Sequence, residues 1–235
     1  MSFITKQELQ TQEQELRQAV EFALNFAKKA GAEAEVGVTK VAGLSVSSRL
    51  KQVENIEFNN DGSLGISVYL GKRKGNASTS DLQSKSIQQA VESALAIAKH
   101  TSEDDCAGLA DKELMAFDAP DLELYHQADL SVDQALALAI ETENAALNAD
   151  EQIVNSEGAT FNSHSGVRVY GNTHGMLQSN LSSRYSLSCS VIAAHGEQLE
   201  RDYEYTISRE FDKLQAPQWV GQQAAFKAVD RLNPQ

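Results

Sequence analysis

The sequence predicts an α+β fold in which antiparallel meanders are covered by amphipathic helices. Two observations carry that expectation. Apolar residues recur at helical spacing in stretches that bracket runs of alternating apolar and polar residues. Helix, meander and helix in that order describe a sheet covered on one face. A short motif also recurs. Phe58-Asn-Asn-Asp-Gly-Ser-Leu-Gly-Ile-Ser-Val-Tyr69 and Phe161-Asn-Ser-His-Ser-Gly-Val-Arg-Val-Tyr170 share Phe-Asn, a small polar turn and Gly-(Ile/Val)-x-Val-Tyr. A pattern repeated at this distance reads as one supersecondary unit used twice, an internal duplication that gives two meander sheets.

Taken in order, Leu9, Leu16, Val20, Ala23, Leu24 and Ala27 form the apolar stripe of a first helix from about Lys6 to Ala30, and Gly31 is placed to end it. Ala34–Thr39 and Leu44–Arg49 alternate on either side of a turn at Gly43, and Gln52–Phe58 follows a short turn at Leu50-Lys51. Asn59-Asn-Asp-Gly62 is turn chemistry, since these residues tolerate positive φ. Leu64–Val68 then leads to a hairpin tip at Gly71-Lys-Arg-Lys-Gly75, with Asn76–Ser80 returning. Ser80 or Asp81 is in place to cap a second helix running to about Lys99, with Ile87, Val91, Ala94, Leu95 and Ala98 buried. Residues 1–101 thus read as a helix–meander–helix lobe.

Residues 102–130 carry nine acids, from Glu103 to Asp129, against the single base Lys112, with no sustained period. An acidic connecting arm packed along the surface through Leu109, Leu114, Phe117, Leu122, Leu124 and Tyr125 is expected. Its carboxylates lack the alternate spacing that wraps a calcium ion. Ser131-Val-Asp-Gln134 is a capping box opening a helix to about Ala149. Ile153–Ser156 is a short strand interrupted at Gly158. After the turn at Asn172-Thr-His-Gly175 comes the most regular stretch, about 15 residues from Leu177 to Val191. Leu177, Leu181, Tyr185, Leu187, Cys189 and Val191 take one face, and Gln178, Asn180, Ser182, Arg184, Ser186, Ser188 and Ser190 the other. At roughly 50 Å such a strand calls for a bulge or bend. Gln198–Tyr205 pairs back on it. A last helix from Trp219 to Leu232, with Pro217 in its first turn, precedes a helix stop at Asn233-Pro234-Gln235 that reads as a domain boundary. Residues 131–235 form the second α+β lobe.

Composition narrows the function. A net charge of −13 and a pI near 4.8 argue against nucleic acid and anionic membranes as direct partners. No apolar run reaches membrane-spanning length, no secretion signal is present, and the two cysteines, Cys106 and Cys189, make no disulfide framework, so a reduced cytoplasmic setting fits. Among five histidines there is no His-Glu-x-x-His and no helical i, i+4 pair. His164 and His174 flank the second hairpin and could converge, without an evident third ligand. No Gly-x-Ser-x-Gly elbow, phosphate-cradling loop or dinucleotide fingerprint occurs. The residues therefore offer no catalytic position and no metal position. The polar face of the long strand, Gln178, Asn180, Ser182, Arg184 and Ser186, is the candidate surface for substrate or partner, against the plainer reading of a solvated face.

Several stretches together resemble a known family. They are Gln52–Ile66, Cys106-Ala-Gly-Leu-Ala-Asp-Lys-Glu-Leu114, Phe161-Asn-Ser-His-Ser-Gly-Val167, Thr173-His-Gly-Met-Leu177 and Glu200-Arg-Asp-Tyr-Glu-Tyr205. They resemble the amino-terminal half of the TldD/PmbA family, whose members were once described as modulators of DNA gyrase, and the block from Cys106 to Leu124 favours the PmbA (TldE) branch. The resemblance implies a cytoplasmic metallopeptidase of two related subunits that processes extended or unfolded peptides. Zinc would be held by a His-Glu-x-x-x-His helix of the TldD-like subunit, so no cofactor is expected in this chain, and the family's carboxy-terminal domain is absent from it. The implied role is a non-catalytic part that walls the substrate chamber and forms the interface with a TldD-like subunit or, in a homo-oligomer, with its own kind. A regulatory module acting on gyrase or another protein is the alternative.

Overall fold

The computed structural model describes residues 6–232; the helix stop expected at Asn233–Gln235 lies outside them. In chain order these residues form α1 (Lys6–Lys29), β1 (Glu33–Arg49), β2 (Gln52–Leu70), β3 (Arg73–Thr79), α2 (Ser84–His100), α3 (Val132–Leu147), β4 (Ile153–Asn172), β5 (Leu177–His195), β6 (Gln198–Ser208) and α4 (Pro217–Leu232), with single 3₁₀ turns at Lys112–Leu114 and Phe211–Lys213. The α+β class is as expected, but the six strands make one curled antiparallel sheet, ordered β3-β2-β1-β4-β5-β6. The two expected meander sheets are halves of it. They join along β1 and β4, which pair from Glu35↔Asn172 to Ser48↔Ala159. Two long strands with unsatisfied edges lie side by side, and pairing them satisfies both ladders.

The recurring motif does not align these halves. The order α-β-β-β-α occurs twice, yet Phe58–Tyr69 lies on β2, the second strand of its half, whereas Phe161–Tyr170 lies on β4, the first strand of the other. The motif is therefore no evidence of duplication. Both copies answer the same local demand, a long strand crossing the middle of a sheet.

The helices follow their stripes. α1 buries the six apolar residues expected and ends in a Schellman arrangement, with Gly31 at φ +75° and the Ala32 amide donating to Ala27 at 3.1 Å. The capping box is present: the Ser131 amide donates to Gln134 Oε1 at 2.8 Å and the Gln134 amide to Ser131 Oγ at 3.1 Å. α2 differs from expectation. It starts at Ser84 without a side-chain cap, and Asp81 instead accepts from the Gln83 amide and the Ser86 hydroxyl.

Several predicted turns are strand interiors. β1 runs straight through Gly43, because a Cβ there would lie 2.5 Å from the Ser163 carbonyl oxygen and 2.6 Å from His164 Nδ1. Glycine permits close approach of β4 at that point rather than a turn. Asn59–Gly62 also continues β2, its Cα atoms opposite Gly43–Lys40, where the ladder overrides local turn preference. The predicted turn at Leu50-Lys51 is real, with φ of 51° and 67°, the mirror-image geometry of tight hairpins. β5 is longer than expected, and the register shifts lie on β4 beside Asn155 and Gly158. Gly158, at φ +110°, is a bulge within the strand.

All four helices pack on one face. Val36, Val38, Leu44 and Val46 alternate along β1 and are fully buried. The first two belong to a core with α1, α2, Leu64, Ile66, Val68, Val167 and Val169. The last two belong to a second core with α3, α4, Phe161, Leu187, Cys189 and Val191. Small residues let the layers approach: a Cβ on Gly75 would meet the Ala94 carbonyl oxygen at 2.0 Å, and one on Gly221 the Thr142 carbonyl oxygen at 2.1 Å. No helix among the described residues is long and apolar enough to cross a membrane.

Candidate functional site

With the helices on one side, the opposite face of the sheet is open and polar. Gln178, Asn180, Ser182, Arg184 and Ser186, predicted from alternation, all project there from β5. Gln178 sits at the end of the row, where its amide donates to the Phe117 carbonyl of the arm. The other four lie opposite Arg168, Gly166, His164 and Asn162 of β4. The β4 half of this surface was missed in the sequence, although Asn162, His164, Gly166, Arg168 and Tyr170 alternate as plainly as the β5 set. Reading Ser163-His164-Ser165 as a turn concealed it.

The electrostatics of the face are uneven. Arg49, Arg73, Arg201 and Arg231 form ion pairs, whereas Arg168 and Arg184 are exposed and form none among the described residues. They stand as free guanidinium donors in a chain of net charge −13. His164 packs over Gly43, and its imidazole is held below the ordinary 6.5 by burial and then by Arg184. At one end Glu35 accepts from Tyr69 Oη at 2.8 Å and Tyr170 Oη at 3.1 Å, and Asn172 donates to Tyr170 Oη at 3.4 Å. Burial raises both phenols, with Glu35 adding to the rise. At the other end Leu199, Tyr203, Tyr205 and Ile207 of β6 form an exposed apolar rim.

The arm closes one corner. Lys72 Nζ donates to the Ala107 carbonyl, and Arg73 pairs with Glu103 at 3.4 Å, so part of the basic spot beyond Gly71 is engaged by acidic chain. Further along, the Ser183 amide donates to the Leu124 carbonyl at 3.0 Å. Between arm, α1 and β5 lies a cleft of about 710 Å³ whose lining includes Glu13, Pro120, Tyr125, His126, Gln178 and Asn180.

Chemically this face offers hydrogen-bond donors and acceptors and two guanidinium groups. His164 and His174 do not converge: His164 lies mid-strand, while His174 lies in the β4–β5 turn with Nε2 3.1 Å from Glu33, roughly 25 Å away at strand rise. No three His, Cys, Asp or Glu side chains among the described residues are grouped to hold a metal ion, so the residues present do not fit a zinc centre. Cys189 is buried in the second core, its thiol pushed up to about 12 by burial, and so is packed as a hydrophobe rather than poised as a nucleophile.

The fold and face define a class: an α+β module whose single sheet is covered on one face by two pairs of helices and open on the other. Residues 34–98 match the model for PmbA/TldA metallopeptidase domain 1, and residues 125–232 match that for the PmbA/TldA metallopeptidase central domain. The chain belongs to the PmbA/TldD family. It is 71% identical over 227 residues to the Metalloprotease PmbA homolog of Haemophilus influenzae, covering 97% of this chain and 50% of that protein. It is 52% identical over 227 residues to Metalloprotease PmbA of Escherichia coli O157:H7, with the same coverage. The chain thus spans about half the length of the curated relatives it matches. A Bacteroides thetaiotaomicron protein described as a modulator of DNA gyrase superposes with a TM-score of 0.81 at 23% identity, over 97% of this chain and 50% of that one. TldE from Thermococcus kodakarensis superposes with a TM-score of 0.68 at 16% identity, over 92% and 48%. These structures share the fold.

Proposed function

We propose that this chain is the amino-terminal region of a PmbA/TldE-like subunit in a cytoplasmic TldD/TldE-type metallopeptidase complex that processes extended or unfolded peptides. In this reading the region is non-catalytic. It walls the substrate chamber and contributes to the interface with a TldD-like subunit, which holds the zinc. The observation that carries the reading is the open sheet face, where Asn180, Ser182, Arg184 and Ser186 stand beside Asn162, His164 and Arg168. A flat row of neutral donors and acceptors with two free guanidiniums suits the main chain and carboxylates of an extended peptide. Family membership and the metallopeptidase names of the relatives support the activity.

The test mixes the full-length protein with a TldD-like subunit and follows cleavage of extended peptides with and without chelator. Cleavage is expected to need both subunits and to stop with chelator, with zinc recovered only on the TldD-like subunit. Full activity of that subunit alone, or zinc-dependent cleavage by this protein alone, overturns the reading. Arg184→Gln together with Arg168→Gln should raise KM several-fold with little change in kcat, as for lost uniform binding. A second reading, regulation of DNA gyrase by direct contact, draws on the description of the Bacteroides neighbour and the charge of −13. A supercoiling assay with and without the purified protein separates the two, because only the second reading predicts a change when no peptidase partner is present.

A further inference from the structure

The two halves of the sheet treat one matching edge differently. β3 pairs with β2 only from Leu64 to Leu70, so the outer edge from Gln52 to Ser63 has no neighbour among the described residues. In the second half β6 pairs with β5 only from Tyr185 onward, which leaves Leu177–Arg184 at the matching place. There the chain supplies its own cover. The arm passes beside β5, where the Ser183 amide donates to the Leu124 carbonyl at 3.0 Å and the His126 amide donates to Ser183 Oγ at 2.8 Å. In the second half this edge is thus covered by another stretch of polypeptide that takes up a main-chain amide of β5.

The β2 edge has the features of an acceptor rather than of a protected edge. Every residue from Lys51 to Phe58 is exposed. Leu50, Val53, Ile56 and Phe58 expose between 43% and 57% of their surface. No lysine, arginine or proline blunts the strand between Gln52 and Leu70. The strand's charged side chains are all acidic, Glu54, Glu57 and Asp61, of which Glu54 pairs with Arg49 of β1 at 3.8 Å. Ile56 and Phe58 lie opposite Val46 and Leu44 on the helix side, and Glu57 and Asp61 opposite Ser45 and Val41 on the open side. A second copy pairing edge to edge would bring these carboxylates against their own kind, which is destabilising.

We propose that the free edge of β2 takes up an extended segment of another polypeptide as a seventh strand, and that this segment alternates apolar residues with lysine or arginine. Apolar side chains would pack on Ile56 and Phe58, and basic side chains four residues apart would meet Glu57 and Asp61. Main-chain hydrogen bonds supply the affinity and the two faces supply the selection. The inference stands on the edge itself and not on peptide cleavage, so either can fail without the other.

The test uses the purified full chain and four labelled nonapeptides: Val-Lys-Val-Thr-Val-Lys-Val-Thr-Val, the same peptide with glutamate for lysine, and the lysine peptide N-methylated either at its odd or at its even residues. Anisotropy should show the lysine peptide binding about ten-fold more tightly than the glutamate one. Methylation in one of the two alternate registers should abolish binding, and hydrogen exchange should slow within Gln52–Ser63. The exposed double variant Glu57→Lys/Asp61→Lys, its fold checked by an unchanged circular dichroism spectrum and Tm, should reverse the charge preference. Absence of binding up to about 1 mM, indifference to charge or to methylation, or protection confined to another strand would each overturn the proposal. Concentration-dependent protection of β2 without peptide would overturn it in favour of a second copy.

Discussion

Glu143 on α3 is fully buried, and its carboxylate accepts from Ser48 Oγ at 3.1 Å, the Leu50 amide at 2.7 Å and the Lys51 amide at 2.9 Å. One side chain therefore ties the strained β1–β2 turn to the helical layer beneath it. Removing it leaves three donors without a partner, each worth about 1–3 kcal/mol when buried. Part of that loss returns as water reaches Leu50 and Lys51, which are exposed. Glu143→Ala should cost about 3 kcal/mol in urea unfolding, and a loss under about 0.5 kcal/mol would refute the anchoring role. His164 gives a pH signature. Its folded midpoint lies below 6.5, so as pH falls through 6.5 the unfolded chain takes up the proton first. This residue's contribution to stability is then complete above 6.5 and is lost as pH falls from 6.5 through the lower folded midpoint. Imidazole titration by NMR should place that midpoint below 6.5, and Arg184→Gln should raise it only part of the way, since burial is the larger cause.

At the scale of elements, the glycines separate close packing from open surface. Gly221 lies mid-helix, where alanine would gain about 1 kcal/mol of helix propensity. Its Cβ would, however, meet the Thr142 carbonyl oxygen at 2.1 Å and the Ala146 amide at 2.8 Å. Backbone atoms cannot step aside as a side chain can, so α3 and α4 must separate, and Gly221→Ala should destabilise by about 2 kcal/mol net. Gly65 is the opposite case. A Cβ there meets nothing within 4 Å, and Gly65→Ala should leave Tm unchanged or raise it slightly. The same contrast explains what the sequence discloses about elements. Helices were legible because their stripes and the Ser131–Gln134 box are local signals, and the β5 alternation was legible for the same reason. Gly43 and Asn59–Gly62 misled because glycine and asparagine look alike whether they serve a turn or a close approach. Only the position of β4 against Gly43 decides between those two uses.

For the whole molecule, the decisive contact is the β1–β4 pairing, which turns two expected meanders into one sheet. A single sheet backed by two cores that share β1 and β4 should unfold as a unit. Far-UV circular dichroism reports on both halves, and the one tryptophan, Trp219 on α4, reports on the second. Their denaturation curves should coincide, and a separate early transition in the circular dichroism would show that the halves unfold independently. The β5 part of the open face could be read from one strand's alternation. The β4 part and the bare β2 edge could not, because no local pattern says which strands become neighbours. The seam also sets a schedule for biosynthesis. Its partners lie far apart in the chain, Ser48 meeting Ala159 and Glu35 meeting Asn172. At cellular elongation rates β1 emerges from the ribosome on the order of ten seconds before β4 exists. Throughout that interval the nascent chain presents a long, valine-rich strand that is paired with β2 on one side only, and its bare β4-facing edge makes this step of synthesis the one at which a chaperone has most to protect.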